Sequence, residues 1–105
     1  MSKFFMLAGT VCCDDNLESI QQRLASVGLN TRIDDDELEI EGEATLYFRS
    51  GFEHEYILVG DSENQQVLIS ETRKLSQLLQ GLSLQHGYEI YDRDNQMIDE
   101  FDYQP

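Results

Sequence analysis

The sequence predicts an α+β fold: a single layer of mostly antiparallel β-sheet with two amphipathic helices on one face, and with the other face open and acidic. Two segments carry apolar residues at helical spacing, and residues 37–50 alternate apolar and polar side chains in the manner of a strand. The predicted elements follow one another through short connections, which favour antiparallel pairing. Two helices can cover only one face of such a sheet, so the second face is left to solvent or to a partner.

Residues 1–105 form one predicted domain. Forty per cent of its residues are apolar, and a chain of this length buries roughly 60 to 68 % of its unfolded surface without metals or disulfides. The longest apolar run is shorter than the about 20 residues that span a bilayer, and it lacks the features of a signal peptide. Cys12 and Cys13 are neighbours that point to opposite strand faces, so they do not form an ordinary structural disulfide. We therefore expect a cytoplasmic protein that does not interact with membranes.

The first 28 residues predict a strand and a helix. Residues 3–12 are apolar on both strand faces, as in a central strand. Asp14 or Asp15 can cap a helix that runs to about Val27, and Gly28 supplies the left-handed residue that ends it. The apolar stripe of this helix consists of Leu17, Ile20, Leu24 and Val27.

The middle of the chain predicts four strands. Residues 30–33 form a short strand, and after an acidic turn residues 37–50 form a longer one that can break at Gly42. Residues 55–60 are apolar on both strand faces. Turn residues follow, and residues 65–70 predict a further strand.

The last third of the chain predicts a helix and a closing hairpin. Ser70 has the character of an N-cap. The helix that follows has one apolar stripe, which consists of Leu75, Leu78, Leu79 and Leu82. Residues 88–91 and 96–103 predict two strands joined by a turn at residues 92–95. The predicted order is β-α-β-β-β-β-α-β-β.

The net charge of −14 is concentrated in two segments. Residues 30–63 hold eleven acids against two bases, and residues 89–105 hold six acids against one base. The predicted helices carry little of this charge. We therefore expect the acids on the sheet and in its turns.

The alternation along the predicted strands indicates which residues share a face. The apolar set that points toward the helices is Leu38, Ile40, Ala44, Leu46 and Phe48. The set that points away is Glu39, Glu41, Glu43, Tyr47 and Arg49. In the closing hairpin, Glu89 and Tyr91 oppose Tyr88 and Ile90 in the same manner.

Acids and tyrosines on one face predict a binding surface for a basic protein, because aromatic residues are typical anchors of protein interfaces. The predicted partner-binding residues are Asp34, Asp35, Asp36, Glu37, Glu39, Glu41, Glu43, Tyr47, Glu89 and Tyr91. The alternative interpretation is a solvated face that keeps a small protein soluble. A halophilic surface is a further alternative, which the near-neutral helices disfavour.

The sequence favours a protein without catalytic activity, cofactor or metal. General acid and base catalysis needs carboxylates in a pocket with separated pKa values, and a strand edge and a turn offer no concavity that sequence can reveal. His54 and His86 share no predicted helix, and both are expected on the surface. Residues 92–97 fit the start of a calcium loop, but Met97 occupies the position that requires glycine. Direct nucleic-acid binding is disfavoured because clusters of Lys and Arg are missing from the sequence.

In size, charge and α/β content, the chain resembles the small acidic immunity proteins of bacterial toxin systems. The acidic segments "IDDDELEIEGE" and "YEIYDRDNQMIDEFDY" carry this resemblance of type. The class includes the immunity proteins of contact-dependent growth inhibition and the nuclease inhibitor barstar. The resemblance implies inhibition without catalysis, by binding a cognate basic nuclease toxin and blocking its nucleic-acid-binding cleft.

Two other functions stay open at this point. An acidic mimic of nucleic acid, such as a phage-encoded inhibitor of a DNA- or RNA-binding protein, would use the same acidic face. A carboxylate-site enzyme or metal-binding module would instead need a pocket of convergent acids and a bound cation. Residues 34–37 are the candidates for such weak Mg²⁺ or Ca²⁺ binding.

Overall fold

The computed structural model of the protein describes residues 3–105, which form a seven-stranded antiparallel β-sheet and two α-helices. The predicted α+β class is therefore confirmed. The strands are β1 (Phe5–Cys12), β2 (Thr31–Asp34), β3 (Glu37–Ile40), β4 (Thr45–Ser50), β5 (Glu55–Ser62), β6 (His86–Tyr91) and β7 (Met97–Tyr103). The helices are α1 (Leu17–Ser26) and α2 (Gln65–Gly81).

Strand β1 lies inside the sheet, whose strand order is β2-β3-β4-β5-β1-β6-β7. It pairs with β5 on one side and with β6 on the other, and both pairings are antiparallel. Helix α1 connects β1 to the far edge strand β2, and α2 carries the chain from β5 past β1 to β6. Each helix therefore joins two strands that run in the same direction, a connection that needs a crossover of a dozen or more residues.

The core is one cluster of buried apolar side chains from both helices and from alternate strand residues. Ile20 and Leu24 come from α1, and Leu68, Leu75 and Leu79 come from α2. The strand residues of the cluster include Leu7, Val11, Leu38, Ile40, Leu46, Phe48, Leu58, Tyr88 and Ile90. The apolar alternation in residues 37–50 thus predicted buried side chains correctly.

Helix α1 begins slightly later than predicted, because Asn16 caps it and neither Asp14 nor Asp15 does. The Oδ1 atom of Asn16 accepts a hydrogen bond from the backbone N–H of Ser19 at 2.9 Å, as an N-cap side chain does. Asp15 instead accepts a hydrogen bond from the guanidinium of Arg23 at 3.0 Å. The side-chain amide of Asn16, and not a carboxylate of Asp14 or Asp15, therefore caps α1.

The prediction of a strand at residues 65–70 is wrong, because these residues form the first turns of α2. Asn64 caps the helix, and its side-chain oxygen accepts a backbone N–H three residues further on at 3.2 Å. Leu68 is buried seven residues before Leu75, so both lie on one helical stripe. Ser70, the predicted cap, is an exposed residue inside the helix. Helical spacing decided the structure of this short apolar run, which a strand pattern also fits.

The observed order of elements equals the predicted order, although two assignments differ and compensate each other. Residues 37–50 form two strands, β3 and β4, and the chain leaves the sheet between them around Gly42. With residues 65–70 in α2, the middle of the chain still contributes four strands.

The prediction that His86 lies on the surface is also wrong, because its side chain is buried in β6. Its Nδ1–H donates to the carbonyl oxygen of Leu84 at 2.9 Å, since a carbonyl can only accept. Its Nε2 forms a hydrogen bond with the hydroxyl of Ser76 at 2.7 Å, in which Nε2 is the acceptor when the ring is neutral. His54, in contrast, is exposed as predicted, and it contacts Asp14.

Tyr88 joins the sheet to α2. It pairs with Gly9 of β1, where a Cβ atom would come within 2.2 Å of the Cβ of Tyr88. Its ring packs against Phe101 with the two centroids 5.4 Å apart and the ring planes tilted by 50°. Its hydroxyl donates to the backbone carbonyl of Thr72 in α2. Burial raises the pKa of this hydroxyl.

The cap of α2 gives a direct test of where the helix begins. Asn64→Ala should lower the free energy of unfolding by about 0.5 to 2 kcal/mol, because the cap hydrogen bond is lost. Ser70→Ala, at the position predicted from sequence, should leave stability unchanged or raise it slightly, because alanine is the better residue inside a helix. Urea denaturation of both variants makes the comparison. A larger loss at Ser70 would contradict the observed start of α2.

Tyr88 should make the protein sensitive to alkali. Its pKa is raised above the ordinary value of about 10, so above that pH the unfolded chain loses this proton before the folded protein does. The free energy of unfolding should therefore fall as the pH rises from about 10. Tyr88→Phe should cost about 0.5 to 1.5 kcal/mol at neutral pH, because its hydrogen bond is lost, and it should flatten the alkaline slope.

Urea denaturation at neutral pH and at several values above pH 10 measures both effects. Tyr56→Phe is the matched control, because burial also raises the pKa of this half-buried tyrosine, and it should remove a smaller part of the slope. An unchanged slope in Tyr88→Phe would contradict the assignment.

Candidate partner-binding face

Strand register brings one residue from each of the seven strands into line. One such row consists of Arg32, Glu39, Tyr47, Val59, Ala8, Glu89 and Glu100. The adjacent row on the same side consists of Asp34, Glu37, Arg49, Ile57, Thr10, Gly87 and Asp102. A third, shorter row consists of Thr45, Asp61, Met6, Tyr91 and Met97. We call the side of the sheet that these three rows form the second face.

The turn between β2 and β3 presents two acids at one end of the second face. Asp35 and Asp36 are the two turn residues, with φ of 49° and 63°. Positive φ at both positions is the conformation of a two-residue type I′ hairpin turn, and aspartate tolerates it better than most residues. Both side chains are exposed. The local backbone therefore explains why a turn here carries aspartates, and it leaves their charges at the hairpin tip.

Two arginines lie directly opposite two of the predicted site acids on neighbouring strands. Arg32 pairs with Glu39 at 2.8 Å, and Arg49 pairs with Glu37 at 2.6 Å. Opposite charges in cross-strand positions are favourable, whereas like charges repel. The hydrogen bond that Arg49 donates to the carboxylate of Glu37 raises the pKa of the Arg49 guanidinium. Both pairs are solvent-exposed, so they organise the side chains of the face more than they stabilise the fold.

Arg49 also fixes the ring of Tyr47. Its Cζ atom lies 5.0 Å from the ring centroid, and its Nη2 donates to the Tyr47 hydroxyl at 3.0 Å. Tyr47 is half-buried between Glu39 of β3 and Val59 of β5. The predicted anchor residue is thus held in one orientation beside the acidic hairpin.

Glu41 and Glu43 lie in the connection between β3 and β4, outside the three rows. The carboxylate of Glu71 in α2 holds this connection, because it accepts the backbone N–H groups of Glu43 and Ala44, each at 3.2 Å. Gly42 lies against the same carboxylate, and a Cβ there would come within 2.2 Å of its Oε1. The structure therefore separates these two predicted site residues from the strand acids and adds Glu71, which the sequence did not single out.

Glu89 and Tyr91 lie at the other side of the second face, on β6. Four strand spacings separate β6 from β3, which amounts to about 19 Å. Glu100 and Asp102 of β7 join Glu89 there, and sequence analysis missed both of them. Glu100 and Asp102 flank the apolar Phe101 in the sequence, and this alternation could have predicted that both acids lie on the face opposite to Phe101. Apart from Glu41 and Glu43, the acids of the predicted site therefore form two groups on opposite sides of one face.

Strands β1 and β5, between the two acidic groups, carry mostly apolar residues on this face, together with Thr10 and the half-buried Asp61. Met6 is 42 % exposed and Ile57 is 38 % exposed, and Ala8 is also exposed. Strand β1 lies inside the sheet, as its two apolar faces predicted, but Met6, Ala8 and Ile57 on the second face are exposed. Met6 and Ala8 are neighbours of the buried Leu7, and Ile57 is a neighbour of the buried Leu58. The helices therefore cover only one face of each of these two strands.

Several surface cavities are lined in part by acids, and three of them concern the strand acids or groups with a raised pKa. One of about 300 Å³ is lined by Asp34, Asp35, Glu37, Glu39, Thr45 and Tyr47, and one of about 220 Å³ by Thr31, Arg32, Glu39 and Glu41. The third, of about 560 Å³, is lined in part by Cys13, His54 and Tyr56. Burial raises the pKa values of Cys13 and Tyr56, which keeps the thiol and the phenol protonated. Within residues 3–105, no group of three or more His, Cys, Asp and Glu side chains is arranged to hold a metal ion.

No protein-family model, curated protein or solved structure matches the chain. Among the helices of residues 3–105, none has the length and apolar character needed to cross a membrane. The function is therefore inferred from the chemistry and geometry of the second face.

Glu71 should control the mobility of the connection that carries Glu41 and Glu43. Glu71→Ala removes the carboxylate that accepts two backbone N–H groups, so the amides of Glu43 and Ala44 should exchange with deuterium about tenfold faster or more. The amide of Leu58 in β5 should exchange at its original rate and serves as the internal control. Equal acceleration at both places would mean that the substitution destabilises the whole domain.

Proposed function

We propose that the protein is a non-catalytic binding protein whose second face is open and acidic and binds a basic protein. One observation carries this proposal: like charges are paired directly across strands on both sides of the face. Asp34 lies opposite Glu37, and Glu89 lies opposite Glu100. Such pairs destabilise a sheet. A partner that supplies positive charge would relieve the repulsion, whereas solubility alone does not require acids in register.

The topology supports an open second face and a single-layer sheet. Helix α1 leads from β1 toward the β2 edge, and α2 leads from β5, which runs opposite to β1, toward the β7 edge. Parallel crossovers are right-handed in about 98 % of cases. Two right-handed crossovers that start from opposite strand directions and move in opposite directions across the sheet bring both helices to the same side. The other side then keeps its acids in solvent.

The partner that best fits such a face is a nuclease toxin, which makes the protein an immunity protein of the toxin-inhibitor type. Nucleic-acid-binding clefts are lined with Lys and Arg that contact phosphates. Carboxylates on a sheet can occupy such a cleft, and electrostatic steering raises association rates by about 10 to 10³. Inhibition of this kind needs no turnover and no cofactor. Direct binding of nucleic acid by the acidic face is unfavourable for the same electrostatic reason.

A cytoplasmic location fits this function. Cys12 and Cys13 are both free thiols, and a reducing compartment keeps thiols in this state. A toxin that cleaves nucleic acid acts in the same compartment. An immunity protein in this compartment would bind its toxin before the toxin reaches its nucleic-acid substrate.

Charge reversal on the second face tests the proposal. The double variant Asp34→Lys with Glu39→Lys should associate with the partner about tenfold more slowly or more at low salt, and its rate should depend less on salt. The control is Asp14→Lys with Glu18→Lys, which changes the same charge at exposed positions near the start of α1. The partner comes from affinity capture with the wild-type protein in the source organism, and stopped-flow mixing measures the association rate.

The captured protein is then assayed for nuclease activity. An equimolar amount of wild-type protein should abolish cleavage, and the variant of the second face should inhibit far less. Equal loss of association in both double variants would mean that only net charge matters, which contradicts a binding face. If the captured protein binds nucleic acid but has no nuclease activity, the protein is not an immunity protein. Its function would then be the alternative one, an acidic mimic of nucleic acid.

A further inference from the structure

The middle of the second face differs chemically from its two sides. Ala8 of β1 lies directly opposite Val59 of β5, whereas Met6 lies opposite Asp61 and Ile57 lies opposite Thr10, so the four apolar residues run diagonally across the two strands. Tyr47 borders this group through Val59, and Tyr91 borders it through Met6. We call Met6, Ala8, Ile57 and Val59 the apolar band. The acidic group on β2 and β3 lies on one side of the band, and the acidic group on β6 and β7 lies on the other.

We propose that the apolar band contacts an apolar patch on the basic partner, between two clusters of Lys or Arg that are about 19 Å apart. This inference rests on the proposed function and specifies the partner's surface. The spacing follows from the four strand intervals between Glu39 and Glu89, which lie in one row. Interfaces commonly have such a layout, with an apolar centre and a polar rim.

Charge decides which occupant fits the band. A second copy of the chain would bring carboxylates against carboxylates, because the acidic groups flank the band on both sides and the net charge is −14. Like charges that meet in an interface repel and oppose its formation. A nucleic acid would meet the same repulsion. A basic protein with an apolar patch satisfies both parts of the face.

The two parts should contribute differently to binding. The acidic groups act over a Debye length and mainly raise the association rate. The apolar band acts only in contact, so its loss should raise the dissociation rate and leave the salt dependence unchanged. A partner that bound through charge alone would show no such separation.

Two synthetic peptides test the inference. One is an 18-residue helical peptide of Lys and Leu with its leucines along one side, and the other has alanine in place of each leucine. An 18-residue helix is about 27 Å long, enough to reach both acidic groups. The leucine peptide should bind wild-type protein about tenfold more tightly than the alanine peptide. Isothermal titration calorimetry at two salt concentrations measures both affinities.

Substitutions in the band identify where this difference arises. Met6→Thr with Ile57→Thr should remove the preference for leucine and should leave the salt dependence of binding unchanged. Threonine keeps β-propensity on both strands. The control is Phe52→Thr, which removes a larger apolar side chain, 86 % exposed, outside the band. In wild-type protein, the methyl NMR signals of Met6 and Ile57 should shift with the leucine peptide only, which tests the contact without any substitution.

Each other outcome overturns the inference in a distinguishable way. Equal affinity for both peptides, with binding weakened by Asp34→Lys and Glu39→Lys, would remove the apolar contact and leave the acidic binding face intact. Binding that is insensitive to those two charge reversals would overturn the proposed function as well. A dimer in sedimentation velocity that dissociates on Ile57→Thr would make a second copy of the chain the occupant of the band.

Discussion

The register of β1 between β5 and β6 is the constraint on which the rest of the structure depends. Leu7 is paired with Gly60 and with Ile90, and the next residue, Ala8, lies in the row that contains Glu89. Because neighbouring strand residues point to opposite faces, a slip of one residue would exchange Ile90 and Glu89 between core and solvent. Burial of the apolar residues therefore also fixes which carboxylates lie together on the second face.

Stability and the charge pattern of the second face oppose each other. Arg32 and Arg49 lie against the acids of β3 and reduce the repulsion there. Among the ion pairs formed by residues 3–105, none includes Glu89, Glu100 or Asp102, so repulsion at the β6–β7 side is not compensated in this way. The buried core holds these charges in register in spite of that cost. A protein shaped by stability alone would not need them opposite one another, which is why the face is interpreted as a binding surface.

Sequence periodicity predicted the class, the order of elements and the buried set between Leu38 and Phe48, because alternation and helical spacing are local signals. It failed at residues 65–70, where a short apolar run fits both periods and the cap at Asn64 decides. It also failed at His86, whose partner Ser76 comes from another element. The two-sided arrangement of acids and the exposure of Met6 depend on strand order, which no local pattern contains.

Carboxyl-group footprinting of the protein with its captured partner tests the central claim, because it reports on both sides of the second face at once. Binding through this face predicts that Glu39, Glu89 and Glu100 are labelled more slowly in the complex than in the free protein. Glu18, exposed in the first turn of α1, should be labelled at the same rate in both. Protection of Glu18 without protection of Glu39 and Glu89 would contradict the account.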